Sequence, residues 1–279
     1  MEIRARGVDV SSNNCGGTGK VDFAAVRRAG YTFAMIRVGY GVQDPKKGFY
    51  PYISKSFVPQ MEAAAAAGLD VGVYWYSKAA APEQARTEAR ALLDAVKPYR
   101  LSYPAAFDFE CEQYIRGWPP GKQLDVIDGF LEEIEAAGYY GTLYMSQSPL
   151  DDLRRYAPGR VDRYDCWVAQ YAPRCTYSGA YGMWQHHGDW PGYVGTVEGV
   201  AGPIDLNDCY REYPEIMRAA GKNGYPKPDA PTAPETPPEV PDYKLMYEAA
   251  EARAEAAEAR AARLEATIAQ AAALLKTEV

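Results

Sequence analysis

Short runs of β-branched and aromatic residues alternate with stretches of helical period, and no other feature constrains the fold of this chain as tightly. Candidate strands fall at 7–10 (GVDV), 33–38 (FAMIRV), 71–76 (VGVYWY), 104–109 (PAAFDF), 140–145 (YGTLYM), 166–170 (CWVAQ), 181–185 (YGMWQ) and 203–206 (PIDL). Helical patterns occupy Asp22 to Ala29, Ser56 to Ala67, Pro82 to Val96 and Gln123 to Ala137. Pro82-Glu83 suits a helix first turn, and Gly30, Gly68 and Gly138 stand where C-terminal caps belong. Strands that are apolar along their length, each followed by a helix, imply inner strands covered on the outside. After the sixth run the helical period gives way to Gly/Pro/aromatic loops. The expectation is an α/β fold: an irregular TIM-like barrel of about eight strands with about five β/α units. Such a barrel carries its active site at the C-terminal ends of its strands.

The composition changes near residue 221. From Gly221 to Asp242 the sequence reads GKNGYPKPDAPTAPETPPEVPD, with too few large aliphatic residues to build a core. Beyond it comes an alanine-rich stretch free of Gly and Pro, which predicts a helix. Three regions are expected: a barrel over 1–220, a Pro-rich linker over 221–241 and an Ala-rich helix over 242–279. With Tyr247 at position a of a heptad, the a residues are Tyr247, Ala254, Ala261, Ile268 and Leu275, and the d residues are Tyr243, Ala250, Ala257, Leu264 and Ala271. Glu251, Glu258 and Glu265 then take e, while Arg253 and Arg260 take g. A parallel pair sets Arg253 against Glu258 and Arg260 against Glu265, whereas an antiparallel pair opposes like charges. Self-association as a parallel coiled-coil dimer is the expectation.

Charge and cysteine usage exclude several classes. The 37 acids outnumber the 30 bases, and no basic stripe interleaved with aromatics is present, so nucleic acid is not an expected partner. No uninterrupted apolar run reaches the roughly 18 residues of a membrane span. Met1 to Arg6 leads straight into Gly7-Val8-Asp9-Val10, without the apolar core of a cleaved leader. Without a signal peptide, the protein is expected in the cytoplasm before it acts elsewhere. Cys15, Cys111, Cys166, Cys175 and Cys209 form an odd set without a CxxC pair, which reads as free thiols.

Four carboxylates stand out as candidate chemistry. Asp108 and Glu110 flank one residue at the end of the fourth strand run, and a period of two turns both to one face. Like charges in one pocket cannot both ionise freely, so one pKa rises and the other group stays charged, the division needed for acid-catalysed glycosidic cleavage. Asp9, ending the first strand, and Asp205, ending the eighth, add two more acids at neighbouring strand ends. Tyr74, Trp75, Tyr76, Tyr144, Trp167, Tyr171, Trp184 and Trp190 cluster near strand ends, where rings can stack on sugars or serve as core. Gly16-Gly17-Thr18-Gly19-Lys20 lacks the spacing of a phosphate loop. His186 and His187 are the only histidines and alternate in direction, which disfavours a histidine metal site and leaves only a carboxylate-bound cation as an option. Cys111 alternates away from Glu110 and is assigned a structural role. No cofactor and no metal is expected.

Gly7-Val8-Asp9-Val10-Ser11, Val21-Asp22-Phe23 through Phe33-Ala34-Met35-Ile36-Arg37, Gly68-Leu69-Asp70-Val71-Gly72-Val73-Tyr74, Phe107-Asp108-Phe109-Glu110, Trp167-Val168-Ala169-Gln170-Tyr171, Met183-Trp184-Gln185 and Ile204-Asp205-Leu206-Asn207 follow one another in a familiar order. This ordered set, over roughly residues 5 to 210, resembles the glycoside hydrolase family 25 lysozymes. The resemblance implies a muramidase that cleaves the β-1,4 bond between N-acetylmuramic acid and N-acetylglucosamine in peptidoglycan. It implies Glu110 as general acid, with Asp9, Asp108 and Asp205 completing the site, and a substrate-assisted route in which the N-acetyl carbonyl of the sugar attacks its own anomeric carbon and Asp108 orients or stabilises the resulting ring. Tyr74, Tyr144, Trp167, Gln170 and Trp184 match positions lining the groove. The glycine-rich stretch Gly188 to Gly202 is longer than the family pattern. The lytic role implied is that of a phage or prophage endolysin acting on the wall after release from the host cytoplasm. A non-catalytic glycan-binding or virion-structural module on the same barrel is the alternative, and a wall enzyme used between bacteria is another; the presence of all four acids favours an enzyme.

Overall fold

The computed structural model describes residues 1–111 and 117–227, so the expected coiled coil and most of the expected linker lie outside the described residues. The described chain runs β1 (Ala5–Val10), α1 (Phe23–Arg28), β2 (Phe33–Asp44), β3 (Gly48–Ile53), α2 (Phe57–Ala66), β4 (Asp70–Tyr76), α3 (Pro82–Val96) and β5 (Ala105–Asp108). It continues through α4 (Pro120–Ala136), β6 (Gly141–Ser146), α5 (Gln147–Tyr156), α6 (Pro158–Val161), β7 (Asp165–Ala169), β8 (Met183–His187), β9 (Asp205–Cys209) and α7 (Tyr213–Ala220). Eight strands close a barrel in the order β1-β9-β8-β7-β6-β5-β4-β2, with β2 returning to β1. All neighbours are parallel except β9, which runs antiparallel to both β1 and β8.

Period two along each strand builds the two cores. In β4, Val71, Val73 and Trp75 face the helices while Tyr74 faces the lumen. In β5, Ala105 and Phe107 face outward and Ala106 inward. Phe107 stacks on Phe130 of α4 at 4.4 Å and on Phe109 at 5.6 Å, so the outer apolar layer continues beyond the strand end. Cys111 packs against this outer layer, as its alternation predicts. Helix starts follow local chemistry: the Asp22 carboxylate accepts from the Ala25 N–H at 2.9 Å ahead of α1, and Pro82 opens α3 with Glu83 in the first turn.

The lumen is packed at one end and open at the other. Phe33, Tyr103, Met183 and Cys209 sit where the parallel strands begin, and Tyr213 and Met217 of α7 insert among them. Phe33 and Tyr103 stack at 4.3 Å, and Tyr213 donates to Asp165 at 2.6 Å. Helix α7 therefore plugs the N-terminal end and leaves the C-terminal ends for chemistry.

Four differences from the sequence reading have physical causes. Strand β2 runs on to Asp44 and turns back through β3 as a hairpin outside the barrel, a ninth strand whose Gly/Tyr-rich composition masks its pattern. Helix α5 follows β6 directly, and α7 hides behind Tyr213-Pro214 at its start. Asp205 opens its strand instead of ending it. The body also continues past Ala220 into the expected linker: Asn223 is fully buried, donates to the carbonyls of Leu101 and Tyr103 at 3.2 and 2.8 Å, and accepts from the Tyr140 N–H at 2.7 Å.

Candidate active site

At the open end of the barrel lies a cavity of about 450 Å³ lined by Asp9, Ser11, Asn13, Arg37, Tyr74, Tyr76, Asp108, Glu110, Tyr144, Trp167, Tyr171, Gln185 and Asp205. All four acids singled out from the sequence meet there. Asp9 is the last residue but one of β1 and Asp108 ends β5, with Glu110 two residues further along the same side. Asp205 reaches the same rim because β9 is antiparallel, so the start of β9 lies beside the end of β1, with Asp205 directly opposite Asp9. Reversed strand direction and reversed position within the strand thus compensate one another.

Each acid has its own surroundings. Asp9 is buried, and its Oδ2 accepts from Gln185 Nε2 at 2.9 Å and Asn207 Nδ2 at 2.8 Å. Burial lifts its pKa to about 6, and these two amide N–H groups hold it from rising further. Gln185 is itself fixed, because its carbonyl oxygen accepts from Tyr144 at 2.9 Å and Tyr171 at 3.2 Å. Asn207 is fixed by the Trp167 indole N–H at 2.8 Å. Burial and the nearby Asp9 and Glu110 charges push Asp205 up to about 9. Glu110 is raised by burial and then by Asp9. Asp108 is raised well above the ordinary carboxylate range by burial, Glu110 and Asp9, against the opposing pull of Arg37. Arg37 is the one cation among the described lining residues, and it donates to Ser12 at 2.6 Å.

The quartet therefore retains protons at neutral pH. Asp9 is the member best equipped to carry negative charge, while burial and the Asp9 charge favour the protonated form of Glu110. Among the described residues the buried Oδ1 of Asp108 has no hydrogen-bond partner, leaving an acceptor ready for an incoming N–H group.

Three of the five predicted binding residues, Tyr74, Tyr144 and Trp167, line the cavity. Gln170 and Trp184 do not. The Gln170 side chain closes its own loop through Thr176, with two hydrogen bonds of 2.7 Å, and the Trp184 indole donates to the Gln170 carbonyl at 2.8 Å. The cause is strand parity: Met183 and Gln185 of β8 point into the lumen, so Trp184 between them points out. Arg37, Tyr76, Tyr171, Gln185, Ser11 and Asn13 complete the lining. Strand alternation with Tyr74 and Met183 as references is the signal that finds Tyr76 and Gln185. Gly188 is required where it stands, because a Cβ there would sit 2.4 Å from both Asp205 Oδ1 and the Tyr171 hydroxyl. Among the described residues no group of His, Cys, Asp or Glu forms a metal site, and no helix is long and apolar enough to cross a membrane.

The sequence model described as Glycosyl hydrolases family 25 matches residues 8–192. The chain belongs to glycosyl hydrolases family 25. This hydrolase is similar in fold to the bacterial lysozyme from Streptomyces coelicolor, at 21% identity over 74% of this chain and 92% of that one, with a TM-score of 0.60. It is also similar to a family 25 glycosyl hydrolase from Bacillus anthracis, at 19% identity over 80% of this chain and 95% of that one, TM-score 0.61. The CTP1L endolysin aligns at 20% identity over 76% of this chain and 69% of that one, TM-score 0.57. A comparison with curated proteins returned no match. The family match ends before β9, so Asp205 joins the site of the hydrolase on its geometry.

Proposed function

We propose that this glycoside hydrolase is an N-acetylmuramidase that cleaves the β-1,4 bond between N-acetylmuramic acid and N-acetylglucosamine in peptidoglycan. The observation carrying the assignment is the convergence of Asp9, Asp108, Glu110 and Asp205 on one cavity, with one buried acceptor of Asp108 left open. Family membership and the lysozyme fold support the substrate class.

In this reading Glu110 is the general acid, its protonated form favoured by burial and the neighbouring Asp9. Its proton passes to the glycosidic oxygen as the bond to the anomeric carbon breaks. The acetamido carbonyl oxygen of the same sugar forms the replacing bond to that carbon, and the open Asp108 oxygen takes the acetamido N–H and holds the group in line. Water then attacks the anomeric carbon, the bond from that carbon to the acetamido oxygen breaks to restore the acetamido group, and the proton lost by the water returns to Glu110. Asp9, fixed by Gln185 and Asn207, supplies negative charge beneath the developing positive ring. Asp205 and Tyr171 shape the opposite wall.

The biological role proposed is lysis by a phage or prophage endolysin that accumulates in the host cytoplasm and reaches the wall through a separate pore. The fold likeness to the CTP1L endolysin supports this. The heptad pattern of 242–279 supports parallel pairing of two copies.

The test is digestion of peptidoglycan by the full chain and by Glu110→Gln, with released fragments reduced by borohydride and analysed by mass spectrometry. Reduced muramic acid ends generated only by the unsubstituted protein are expected. Walls of several bacterial types left without new reducing ends would overturn the muramidase reading.

A further inference from the structure

The hairpin of β2 and β3 carries residues that the cavity does not use. Along β2, Phe33 and Met35 face the lumen and Arg37 reaches the cavity. Simple alternation would turn Gly39 and Gly41 the same way. Instead the pairing with β4 slips between Arg37 and Gly39, a bulge that adds Val38 and reverses the parity of everything beyond it. Gly39 then faces outward, where a Cβ would lie 2.7 Å from the Trp75 ring, and Tyr40 faces the mouth. Tyr40 is directly paired with Tyr76 of β4, a cavity-lining residue, and on its other side with Tyr52 of β3. Residues directly opposite on neighbouring strands project from the same face. Tyr76, Tyr40 and Tyr52 therefore form one row across three strands, leading out of the cavity. The Tyr40 and Tyr52 rings are 5.0 Å apart and 43° tilted, and the Arg37 guanidinium stands 5.6 Å from the Tyr40 ring. Val42 and Tyr50 form the next pair outward on the same face. All of these rings are partly exposed.

We propose that Tyr40 and Tyr52 form an outer subsite that stacks on a further pyranose ring of the glycan strand, beyond the rings held in the cavity. This rests on the glycan-hydrolase reading of that cavity. The occupant follows from continuity and chemistry. The row begins on a wall of the cavity and advances one strand spacing per ring, about 4.8 Å, comparable with the length of one sugar. Aromatic faces present a flat apolar platform, which suits the C–H face of a pyranose and requires no charge on the ligand. The bulge at Val38 is the device that makes the platform: without it the two tyrosines would turn away from the mouth.

The experiment measures binding of peptide-free glycan fragments of two and of six sugars to the full chain carrying Glu110→Gln, alone and combined with Tyr40→Ala, Tyr52→Leu or Tyr52→Phe. Loss of one stacking ring is expected to weaken hexasaccharide binding about tenfold while the disaccharide changes much less. Tyr52→Phe should retain the affinity, and Tyr52→Leu, which keeps apolar packing without a ring face, should not. Hexasaccharide affinity within twofold of the parent in both Tyr40→Ala and Tyr52→Leu overturns the subsite, as does a parent that binds six sugars no more tightly than two. Parallel digestion by the unsubstituted chain separates the two readings: cleavage with unaffected binding removes the platform alone, and weakened hexasaccharide binding without cleavage removes the hydrolase reading alone.

Discussion

Glu88 is a fully buried carboxylate outside the cavity, and replacing it with glutamine should reverse in effect with pH. It sits on α3, where one oxygen accepts from the Ser77 hydroxyl at 2.6 Å and the other from the Lys78 N–H at 3.0 Å. Burial outweighs these bonds and raises its pKa from 4.5 to about 7. A carboxyl whose pKa is higher folded than unfolded favours folding fully below 4.5, and that contribution is lost as pH climbs through 7. The move is worth about 3 kcal/mol well above pH 7, and about 2.5 kcal/mol of it is lost between pH 5 and pH 8. Glutamine cannot ionise, so it escapes this loss. It does present two N–H donors where the protonated carboxyl has a single O–H and the carboxylate none, at a cost of about 1–2 kcal/mol. Glu88→Gln should therefore be equal or less stable than wild type at pH 5 and about 1 kcal/mol more stable at pH 8. The assay is thermal melting of both proteins across that range. The difference in Tm should move toward the variant by about 5 °C or more between the two pH values. Asp9, Asp205 and Glu110 titrate in both proteins and drop out of the comparison, while removing the Glu88 charge eases ionisation of Asp108 in the same direction. A Tm difference independent of pH, or one that grows against the variant as pH rises, would refute the argument by showing that the Ser77 and Lys78 bonds outweigh burial.

Asp9→Asn removes a charge that raises Glu110, so the alkaline limb of the pH–activity profile should move to lower pH and kcat should fall by about tenfold or more; an unmoved limb would detach Asp9 from the acid. Gln185→Leu strips one N–H from Asp9 and leaves the Tyr144 and Tyr171 hydroxyls without their acceptor, which should destabilise the barrel by about 2–4 kcal/mol in denaturant melts and raise the Asp9 pKa above 6. Truncation should expose the true end of the body: a chain ending at Ala220 loses Asn223 and its three side-chain bonds and should melt well below one ending at Lys227, whereas equal melting would contradict the packing described. The full chain should sediment as a dimer and the form ending at Lys227 as a monomer.

Much of this architecture is legible in sequence because strand alternation is a local rule. GVDV, FAMIRV, VGVYWY and PAAFDF carry enough β-branched and aromatic residues to fix their elements, and the single residue between Asp108 and Glu110 sets both acids on one side. What sequence leaves hidden depends on partners far along the chain. The direction of β9 is decided by closure between β1 and β8, so Asp205 can be assigned to the rim while its position within its strand is read in reverse. Trp184 draws attention because large aromatics at strand ends suit sugars, yet one step of parity gives the cavity to Gln185. Asn223 sits in a stretch that reads as linker, and only the unpaired backbone groups of Leu101, Tyr103 and Tyr140 explain why it is buried.

The bulge at Val38 shows how a small irregularity separates the legible from the hidden. Residues 33 to 37 obey alternation with the barrel, and residues 39 to 44 obey it equally well in the opposite phase. A pattern reader sees Gly39, Tyr40, Gly41 and Val42 lose their hydrophobic rhythm and ends the strand. The backbone instead carries on for a further six residues, because glycine at 39 lets β2 approach Trp75 and the Tyr52 carbonyl more closely than any side chain would permit. One inserted residue thus costs a single irregular pair in the ladder and turns Tyr40, with its partner Tyr52, toward the mouth beside Tyr76. Catalytic acids are found by their charge, but the surface that would guide a long substrate to them is set by phase, and phase becomes visible only when the neighbouring strands are in place.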